Sequence, residues 1–444
     1  MTFPQRLIAA VLFALCGAGD AFSQSHISPG AGPGNTLNTS AFIREEPHSR
    51  QGPKRYVHFL FSGQSLSIGA VGTPALSTTQ PYENKTFVGG PRSNSGQLHS
   101  LIDLIEFDNG GLGETTCSGA ANYVIELMPT GSRISAAADA FDMISSTTGF
   151  GGYTIRKLIK GTPPYQLLLD HVGAGRNLST AAGRTYTVGA LGWLQGESDQ
   201  NQGLKPRLEY KHDLMDYQAD VDADVKGITG QKEDVVLLSY QLSGHVARGG
   251  NFRNVTLAQL DASEDNPAIT IVSPTYPFPF SDRVHLTNVG YNWIGHYFGK
   301  VYKQFVVDRQ PWIPLSPKSV VQHVASQNSA GILVEFHVPE PPLVLDIDIL
   351  GAATDYGFAI EDAVGVHTIR SVIVVDATHV EIYVDRPLAA GALLRYGLDY
   401  LGAGLDLYDG ASGTLRDSDE RTFSLGSTTY SLFNWCVAFE KPIL

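Results

Sequence analysis

Three short motifs in this chain contain the residue types that nucleophilic acyl chemistry needs. Ser65 closes the run Gly63-Gln64-Ser65, and a serine in such a tight turn exposes its hydroxyl. Asp282 stands three residues before His285, so its carboxylate can accept the Nδ1 hydrogen bond and leave Nε2 free as a general base. Gln195, which begins the run Gln195-Gly196-Glu197, carries an amide that can donate to a developing oxyanion.

Each motif also has a purely structural interpretation. A Gly-Gln-Ser turn often does no more than end a strand, and Ser198 or Asp199 could simply cap a helix. Asp282 and His285 could be a surface pair or two metal ligands, but no third ligand has convincing spacing. Taken together, a nucleophile, an oxyanion donor and an Asp-His base predict a Ser-His-Asp hydrolase better than any one motif does.

The elements between these motifs predict an α/β sheet that would bring them together. Apolar runs of strand length alternate with helical periodicity, which favours a mainly parallel sheet covered by helices. Because ligands bind at the carboxyl ends of such strands, motifs that follow strands are expected to meet there. The predicted strands are Tyr56–Phe61, Phe141–Ser146, Tyr186–Leu194, Val235–Tyr240 and Ile269–Val272, and the predicted helices are Ala120–Leu127, Tyr165–Ala182, Tyr210–Val225 and one capped by Thr287.

The pattern changes after Trp312, where short alternating runs separated by Gly, Pro and Asp predict an antiparallel β-sandwich. Exposed tyrosines there, with Tyr396, Tyr400 and Tyr408 as candidates, could stack on sugar rings or could equally belong to the core. The predicted organisation is a signal peptide at 1–23, a flexible leader at 24–52, a catalytic domain at 53–312 and an accessory domain at 313–444.

The N-terminus has the pattern of a cleavable export signal. Arg6 precedes an apolar run from Leu7 to Leu15, and Ala21-Phe22-Ser23 fits a cleavage site. The run is too short to span a bilayer, so a secreted or periplasmic protein is expected. In that compartment Cys117 and Cys436 could pair or could remain two buried thiols.

Charge excludes one class of partner. The 444 residues include 31 basic and 44 acidic side chains, a formal net charge of −13. Residues 313–444 hold 7 basic and 17 acidic ones, a net of −10, which leaves −3 for the rest. A nucleic-acid partner is therefore not expected, because phosphate binding needs a basic face.

The three motifs resemble conserved blocks of the SGNH (GDSL-like) hydrolases. The similarity is strongest to the branch with Gly-Gln-Ser and Gln-Gly-Glu, which holds sialate O-acetylesterase-type and acetylxylan esterase-type enzymes, and it spans about Tyr56 to Val307. Its most specific part is the run from Asp282 to Tyr291. The resemblance implies a flavodoxin-like three-layer α/β/α fold that hydrolyses O-linked acyl groups, often acetyl, on carbohydrate, without a metal or another cofactor.

The same resemblance implies a role for individual residues. Ser65 would be the nucleophile, His285 the base and Asp282 the acid that orients it. The oxyanion would rest on the backbone N–H groups of Ser65 and Gly152, with Gly151 as the fallback, and on the Gln195 amide. The supporting residues around the site would be Gln64, Glu197 and Asp199.

Other observations leave alternatives open. The 87 residues between Ser65 and Gly152 imply an insertion at about 70–140 that could form a lid or a cleft wall. Within it, Gly113-Glu114-Thr115 is interpreted as a helix cap. A non-catalytic polysaccharide-binding or adhesion protein could retain such a scaffold, and an esterase for lipid or aryl esters is a third option.

Overall fold

The structure is a computed structural model that describes residues 55–129, 140–203, 205–243, 253–326, 328–398 and 413–444. The predicted signal peptide and leader lie outside the described residues. The described residues belong to one compact unit. The boundary expected near Trp312 stays a prediction.

A seven-stranded, mostly parallel sheet forms the first part of the described chain. Its order is β3-β2-β4-β1-β5-β6-β7, and only β3 runs antiparallel to its neighbour. The central strand β1 is buried from Tyr56 to Gly63, as expected for a parallel strand covered on both faces. The strands are β1 Arg55–Gly63, β2 Lys85–Phe87, β3 Leu101–Asp103, β4 Phe141–Thr147, β5 Thr185–Leu194, β6 Val236–Gln241 and β7 Ile269–Pro274.

Six α-helices are described between and after these strands. They are α1 Thr116–Glu126, α2 Pro163–Ala181, α3 Glu197–Gly203, α4 Arg207–Thr229, α5 Asn254–Asp265 and α6 Asn288–Tyr302. Helix α1 packs against α6, whereas α4 packs against both α2 and α5. The predicted mixed α/β architecture with a mainly parallel sheet is thus confirmed. Helix α5 and the short strands β2 and β3 were not predicted.

Residues beyond Trp312 are rich in antiparallel strands, as predicted. Two four-stranded sheets, β13-β14-β9-β8 and β12-β11-β15-β19, contribute to one hydrophobic cluster. The strands are β8 Ser316–Ser326, β9 Ser329–His337, β10 Val344–Leu345, β11 Phe358–Asp362, β12 Gly365–Val366, β13 Ile369–Val374, β14 His379–Val384, β15 Leu393–Tyr396, β16 Leu415–Arg416, β17 Thr422–Leu425, β18 Thr428–Ser431 and β19 Phe439–Pro442.

Tyr396 belongs to this cluster and is not a surface aromatic. Its side chain is fully buried, its ring stacks on Phe439 at 5.7 Å between centroids, and its hydroxyl accepts the Leu415 N–H at 2.8 Å. Of the two alternatives left open for Tyr396, its burial supports the core role. Tyr400 and Tyr408 lie outside the described residues.

The β-rich part shares its core with the α/β part. Leu260 of α5 and Ile271 of β7 are members of the same hydrophobic cluster as the antiparallel strands. Lys300 of α6 is 2% exposed and donates to Asp419 Oδ2 at 3.0 Å, to Leu432 O and to Asn434 Oδ1. Removing either member of such a buried ion pair would leave an uncompensated charge.

Cys117 and Cys436 are free thiols, and both are buried. Burial raises the pKa of the Cys117 thiol to about 12, so it stays protonated and unreactive at neutral pH. Among the described residues, no helix combines the length and the hydropathy that a membrane span requires.

A chain of buried polar side chains crosses the sheet below the strand ends. Tyr186 donates to His58 Nδ1 (2.7 Å), His58 Nε2 to Ser146 Oγ (2.9 Å), and Ser146 to His171 Nδ1 (2.9 Å). His171 Nε2 ends the chain on the Ser93 carbonyl at 2.8 Å. Because a carbonyl can only accept, this order requires both rings to be neutral with the proton on Nε2.

The two buried histidines of this hydrogen-bonded series predict that the protein loses stability in acid. Burial lowers the pKa of the His171 ring to about 4 and that of His58 well below its usual range. Between the usual histidine pKa of about 6.5 and these lowered values the unfolded chain binds more protons, so stability is present at neutral pH and falls as the pH drops. In that window each ring lowers the free energy of unfolding by up to about 1.4 kcal/mol for each unit by which the pH falls.

Denaturant unfolding at pH 7, 6, 5 and 4.5 measures this effect. We expect His171→Gln, which keeps an acceptor and a donor at this position, to lose less stability on acidification than the wild type. Parallel pH dependence of the two proteins would contradict the assignment.

Candidate active site

The predicted motifs follow the carboxyl ends of parallel strands of the same sheet. Ser65 follows β1, the Gly149–Gly152 loop follows β4, Gln195 follows β5 and the Asp282–His285 turn follows β7. Because β4, β1 and β5 are neighbours in the sheet, the Gly149–Gly152 loop, Ser65 and Gln195 lie next to one another.

The Ser65 turn depends on a glycine. Gly63 has a φ of 141°, and a Cβ there would lie 2.2 Å from the Leu194 carbonyl oxygen. The Gln64 N–H donates to that same oxygen at 3.0 Å, so the two strand ends are in close contact. Only glycine allows this approach, which leaves Ser65 partly exposed at the top of the sheet.

The Asp282–His285 turn is held by the aspartate itself. Asp282 Oδ1 accepts the N–H groups of Val284 and His285, both at 2.7 Å, while Oδ2 accepts from His285 Nδ1 at 2.8 Å. The His285 Nε2 atom in turn lies 2.9 Å from Ser65 Oγ. The structure thus brings the three predicted residues into one continuous hydrogen-bonded arrangement.

The electrostatics of Asp282 suit an orienting carboxylate. Partial burial, the largest single influence, raises its pKa, but the hydrogen bonds from the His285 ring and from two backbone N–H groups together outweigh it. The net pKa of Asp282 lies below its usual value. The group is therefore ionised at neutral pH and stabilises a positive charge on the imidazole.

The residues that follow His285 connect its turn to the Ser65 turn. Thr287 caps α6 by accepting the Gly290 N–H at 3.0 Å. Asn288 Nδ2 donates to the Pro74 carbonyl at 2.8 Å, and the Tyr291 hydroxyl donates to the Ala70 carbonyl at 2.8 Å. These contacts hold the 285–291 segment, and with it His285, against the residues that follow Ser65.

The expected oxyanion role of the Gln195 side chain is not supported by its contacts. The amide is fully buried, and its Nε2 donates to Asp199 Oδ2 at 2.5 Å and to the Tyr153 carbonyl at 3.2 Å. Its Oε1 accepts from the Tyr210 hydroxyl at 2.8 Å, which fixes the orientation of the amide. With both amide protons engaged, Gln195 supports the loop beside the site and has none left for an oxyanion.

Asp199 completes that support. Its Oδ2 also accepts the Ile155 N–H at 2.7 Å, so the Gln195–Asp199 pair holds both Tyr153 and Ile155 of the loop after β4. Burial raises the pKa of Asp199, and the hydrogen bonds from Ile155 and Gln195 oppose that rise.

Gln64 and Glu197 are buried beside the Ser65 turn. Gln64 Oε1 accepts the Ser198 N–H at 2.9 Å and so fixes the turn after β5 to the Ser65 turn. Both carboxylate oxygens of Glu197 accept from the Tyr240 hydroxyl, at 2.8 and 2.7 Å. Sequence reasoning gave Tyr240 no role, although its place at the end of a predicted strand was a usable signal.

The glycine-rich loop after β4 lies along the Ser65 turn. The Phe150 N–H donates to the Gly63 carbonyl at 3.0 Å, which anchors the loop. Gly152 is exposed, has a φ of 73°, and a Cβ there would meet no atom within 4 Å. Its N–H as an oxyanion donor, with Gly151 as the fallback, stays a prediction.

The Gly113-Glu114-Thr115 run joins the predicted insertion to α6. Thr115 caps α1 by accepting the Cys117 N–H at 3.1 Å, as the cap interpretation expected. Buried Glu114 accepts from the N–H groups of Leu76 and Ser77 and from Asn292 Nδ2 at 2.8–2.9 Å. The sequence alone gave no reason to expect this second role.

Within the described ranges, no group of three or more His, Cys, Asp or Glu side chains has the geometry to hold a metal ion.

Comparison with known proteins shows a shared fold. No protein-family model matches the sequence, and no curated protein matches it. A solved carbohydrate acetylesterase from Xanthomonas citri is similar with a TM-score of 0.56 and 13% identity, over 86% of this chain and 80% of that one.

Two other solved structures are similar to a limited degree. A protein from Arabidopsis thaliana has a TM-score of 0.41 and 18% identity over 56% of this chain and 98% of its own. NanS has a TM-score of 0.43 and 14% identity over 58% and 99%. The likeness that carries weight is the first, and it shows that this chain shares its fold with a carbohydrate acetylesterase.

Proposed function

We propose that this protein is a serine esterase of the SGNH (GDSL-like) type that removes O-acetyl or other small acyl groups from carbohydrate. The observation that carries the proposal is the hydrogen-bonded arrangement of Asp282, His285 and Ser65, with 2.8 Å and 2.9 Å between successive partners. The shared fold with a carbohydrate acetylesterase supports the same reaction class.

In the proposed first step, Ser65 Oγ attacks the ester carbonyl while His285 Nε2 takes its proton. The bond between the acyl carbon and the sugar oxygen then breaks, and the imidazolium returns the proton to that oxygen of the departing alcohol. Water repeats the sequence on the acyl-serine, which releases the carboxylic acid and restores Ser65. Asp282 stays ionised throughout and holds His285 in the tautomer that presents Nε2 to the nucleophile.

The proposed oxyanion donors are backbone groups, the N–H of Ser65 and that of Gly152. Gln195 acts through Tyr153 and Asp199, which together set the position of the loop that bears Gly152. Backbone donors held in place before the reaction need no reorganisation when negative charge develops.

The finer architecture belongs to the same proposal. The pairing of α1 with α6 and of α4 with α2 and α5 is consistent with a flavodoxin-like three-layer domain, and the two four-stranded sheets with a β-sandwich. We propose secretion or export to the periplasm on the basis of the apolar N-terminal run.

An acetate-release screen tests the function. The purified protein is incubated with O-acetylated xylan, pectin, sialic acid and bacterial exopolysaccharides, with glycerol triacetate and an aryl acetate as non-carbohydrate esters. We expect acetate release from at least one glycan. Hydrolysis of the lipid or aryl ester alone would contradict a carbohydrate esterase, and no hydrolysis at all would favour a binding protein.

Tyr291→Phe tests whether the 285–291 motif positions the base. Losing the hydroxyl removes the hydrogen bond to Ala70 O, and we expect about a tenfold fall in kcat with little change in KM, because misplacement of the base affects the chemical step. Steady-state kinetics measure kcat and KM separately, and thermal unfolding checks that the fold is kept. An unchanged kcat would contradict the positioning role.

A further inference from the structure

The backbone that follows Ser65 is hydrogen-bonded to the predicted insertion. The Ala70 N–H donates to the Ser65 carbonyl at 3.1 Å, which closes the turn that bears the proposed nucleophile. One residue earlier, the Gly69 carbonyl accepts the Gly113 N–H at 3.0 Å. The backbone from Ser65 to Ala70 is therefore in direct contact with the 107–114 segment of the insertion.

One buried arginine bridges these two segments. The Arg92 side chain is only 9% exposed. Its guanidinium donates to the carbonyls of Gly113 and Phe107 at 2.6 and 2.5 Å, and to that of Ile68 at 3.4 Å. Ile68 lies three residues after Ser65. A guanidinium carries five donors in one rigid plane, so a single side chain can join carbonyls that belong to separate segments.

The backbone on both sides of Arg92 is fixed to the α/β part. The Thr147 N–H at the end of β4 donates to the Pro91 carbonyl at 2.7 Å. His171 Nε2 of α2 lies 2.8 Å from the Ser93 carbonyl, which accepts its hydrogen bond. Arg92 therefore connects the end of β4 to the backbone that follows the neighbouring strand β1.

The carbonyls are closer partners of Arg92 than its counter-charge is. Arg92 Nη1 lies 3.7 Å from Oε2 of the fully buried Glu106, which is too long for a hydrogen bond. Glu106 Oε1 accepts from the hydroxyls of Thr115 and Ser118 at 2.5 and 3.0 Å. Burial and, next, the Glu114 carboxylate raise the pKa of Glu106, which favours its neutral form and weakens the ion pair.

We propose that Arg92 is a positioning residue for ester hydrolysis, and that its bonds to three backbone carbonyls set the position of Ser65 relative to His285. The proposal rests on the proposed esterase function and deepens it by giving the insertion a part in the reaction. The base is held against the same backbone, because the Tyr291 hydroxyl donates to the Ala70 carbonyl at 2.8 Å. A small shift of that backbone therefore changes the distance between Ser65 Oγ and His285 Nε2, on which the rate of proton transfer and attack depends.

Arg92→Lys tests this role. Lysine keeps the positive charge, but its compact ammonium cannot span the three carbonyls that the planar guanidinium reaches. The matched control is Arg416→Lys in the β-rich part. The Arg416 side chain is 15% exposed, donates to the Asp417 carbonyl at 2.8 Å and lies over the Phe433 ring, as Arg92 lies over that of Phe107.

An organophosphate that releases one nitrophenolate for each serine it labels counts the active sites, and turnover of an aryl acetate is expressed per titrated site. We expect Arg92→Lys to lower kcat per site by about ten- to a hundredfold with little change in KM, because misplacement of the nucleophile slows the chemical step. The rate constant of labelling should fall by a similar factor, with one site per chain still labelled. Arg416→Lys should match the wild type in all these quantities.

A purely structural role of Arg92 has a different result. Molecules that remain folded would then label and turn over at the wild-type rate, and only the titrated fraction and the temperature of unfolding would fall. That result, an equal loss of kcat in Arg416→Lys, or a rise in KM alone would overturn the positioning role. If Arg92→Lys has no titratable site, Arg92→Gln, which keeps one amide donor, is titrated in the same way, and absence of sites in both variants also overturns it.

Failure of the esterase function itself is distinguishable from these results. Wild-type protein would then hydrolyse no ester, or Ser65→Ala would retain the activity and the label. In that case the assignment of the nucleophile is wrong and the positioning role fails with it. Where wild-type activity requires Ser65, the results for Arg92→Lys and Arg416→Lys decide the role of Arg92 alone.

Discussion

Replacing Ser65 by alanine is expected to lower kcat/KM for acetyl ester hydrolysis by on the order of 10⁴–10⁶, because the remaining groups act as one unit with the nucleophile. The hydroxyl donates to His285 Nε2 at 2.9 Å, and alanine leaves no oxygen to attack the carbonyl. Kinetics on an O-acetylated glycan and on a small acetate ester measure the loss.

A second measurement distinguishes loss of the attacking hydroxyl from loss of the fold. An organophosphate should label the wild type at one site per chain, in the peptide that contains Ser65, and should leave Ser65→Ala unlabelled. Thermal unfolding of the variant should match the wild type, since the side chain is small and partly exposed. Near-wild-type turnover in Ser65→Ala would refute the assignment.

The second large effect is expected for Asp282→Asn, which should lower kcat by on the order of 10⁴. An asparagine amide that donates to Nδ1 would favour the tautomer with the proton on Nε2, where the ring can no longer accept from Ser65. Because the carboxylate also accepts two backbone N–H groups, one oxygen of asparagine can still hold the turn. The loss should therefore be kinetic and not structural.

A matched control exists elsewhere in the chain. Asp376 and His379 form a second Asp-x-x-His turn, in which Asp376 Oδ1 accepts the His379 N–H and contacts Nδ1, both at 2.9 Å. No serine contacts that ring among the described residues. Asp376→Asn should leave kcat unchanged, and an equal loss in both variants would indicate a general structural effect.

These two turns show what the sequence can predict about the site. The spacing of aspartate and histidine determines the local turn, and it does so equally at Asp282 and at Asp376. Only the order of strands in the sheet places one of the two histidines against Ser65. The meeting of Ser65, Asp282 and His285 was therefore predictable from motifs that follow strands, because the carboxyl ends of parallel strands meet.

The error on Gln195 has a different origin. A glutamine at a strand end can donate to an oxyanion, but its protons go to the nearest acceptors, here Asp199 and the Tyr153 carbonyl. Those acceptors come from 42 residues before Gln195 and from 4 residues after it. A contact with a residue so far away in sequence follows from tertiary packing, which the local pattern does not contain.

Tertiary packing also explains what sequence reasoning missed. Glu114 accepts from residues 37 and 38 positions earlier and from Asn292, 178 positions later, and Tyr291 contacts Ala70 across 221 residues. Helix α5 has only a weakly amphipathic sequence because most of its side chains are buried on more than one side. An apolar run of strand length, the signal from which the other strands of this sheet were predicted, is absent from the three-residue strands β2 and β3.

The core that the α/β part shares with the β-rich part has a consequence for how such a protein could evolve. A segment that recombination moves between genes needs a hydrophobic core formed by its own residues, so that it folds without the segment from which it is separated. Here Leu260 and Ile271 pack among the antiparallel strands, and the ammonium of Lys300 has its counter-charge on Asp419. A cut near Trp312 would divide that core, so residues 53–312 and 313–444 are expected to be inherited as a pair.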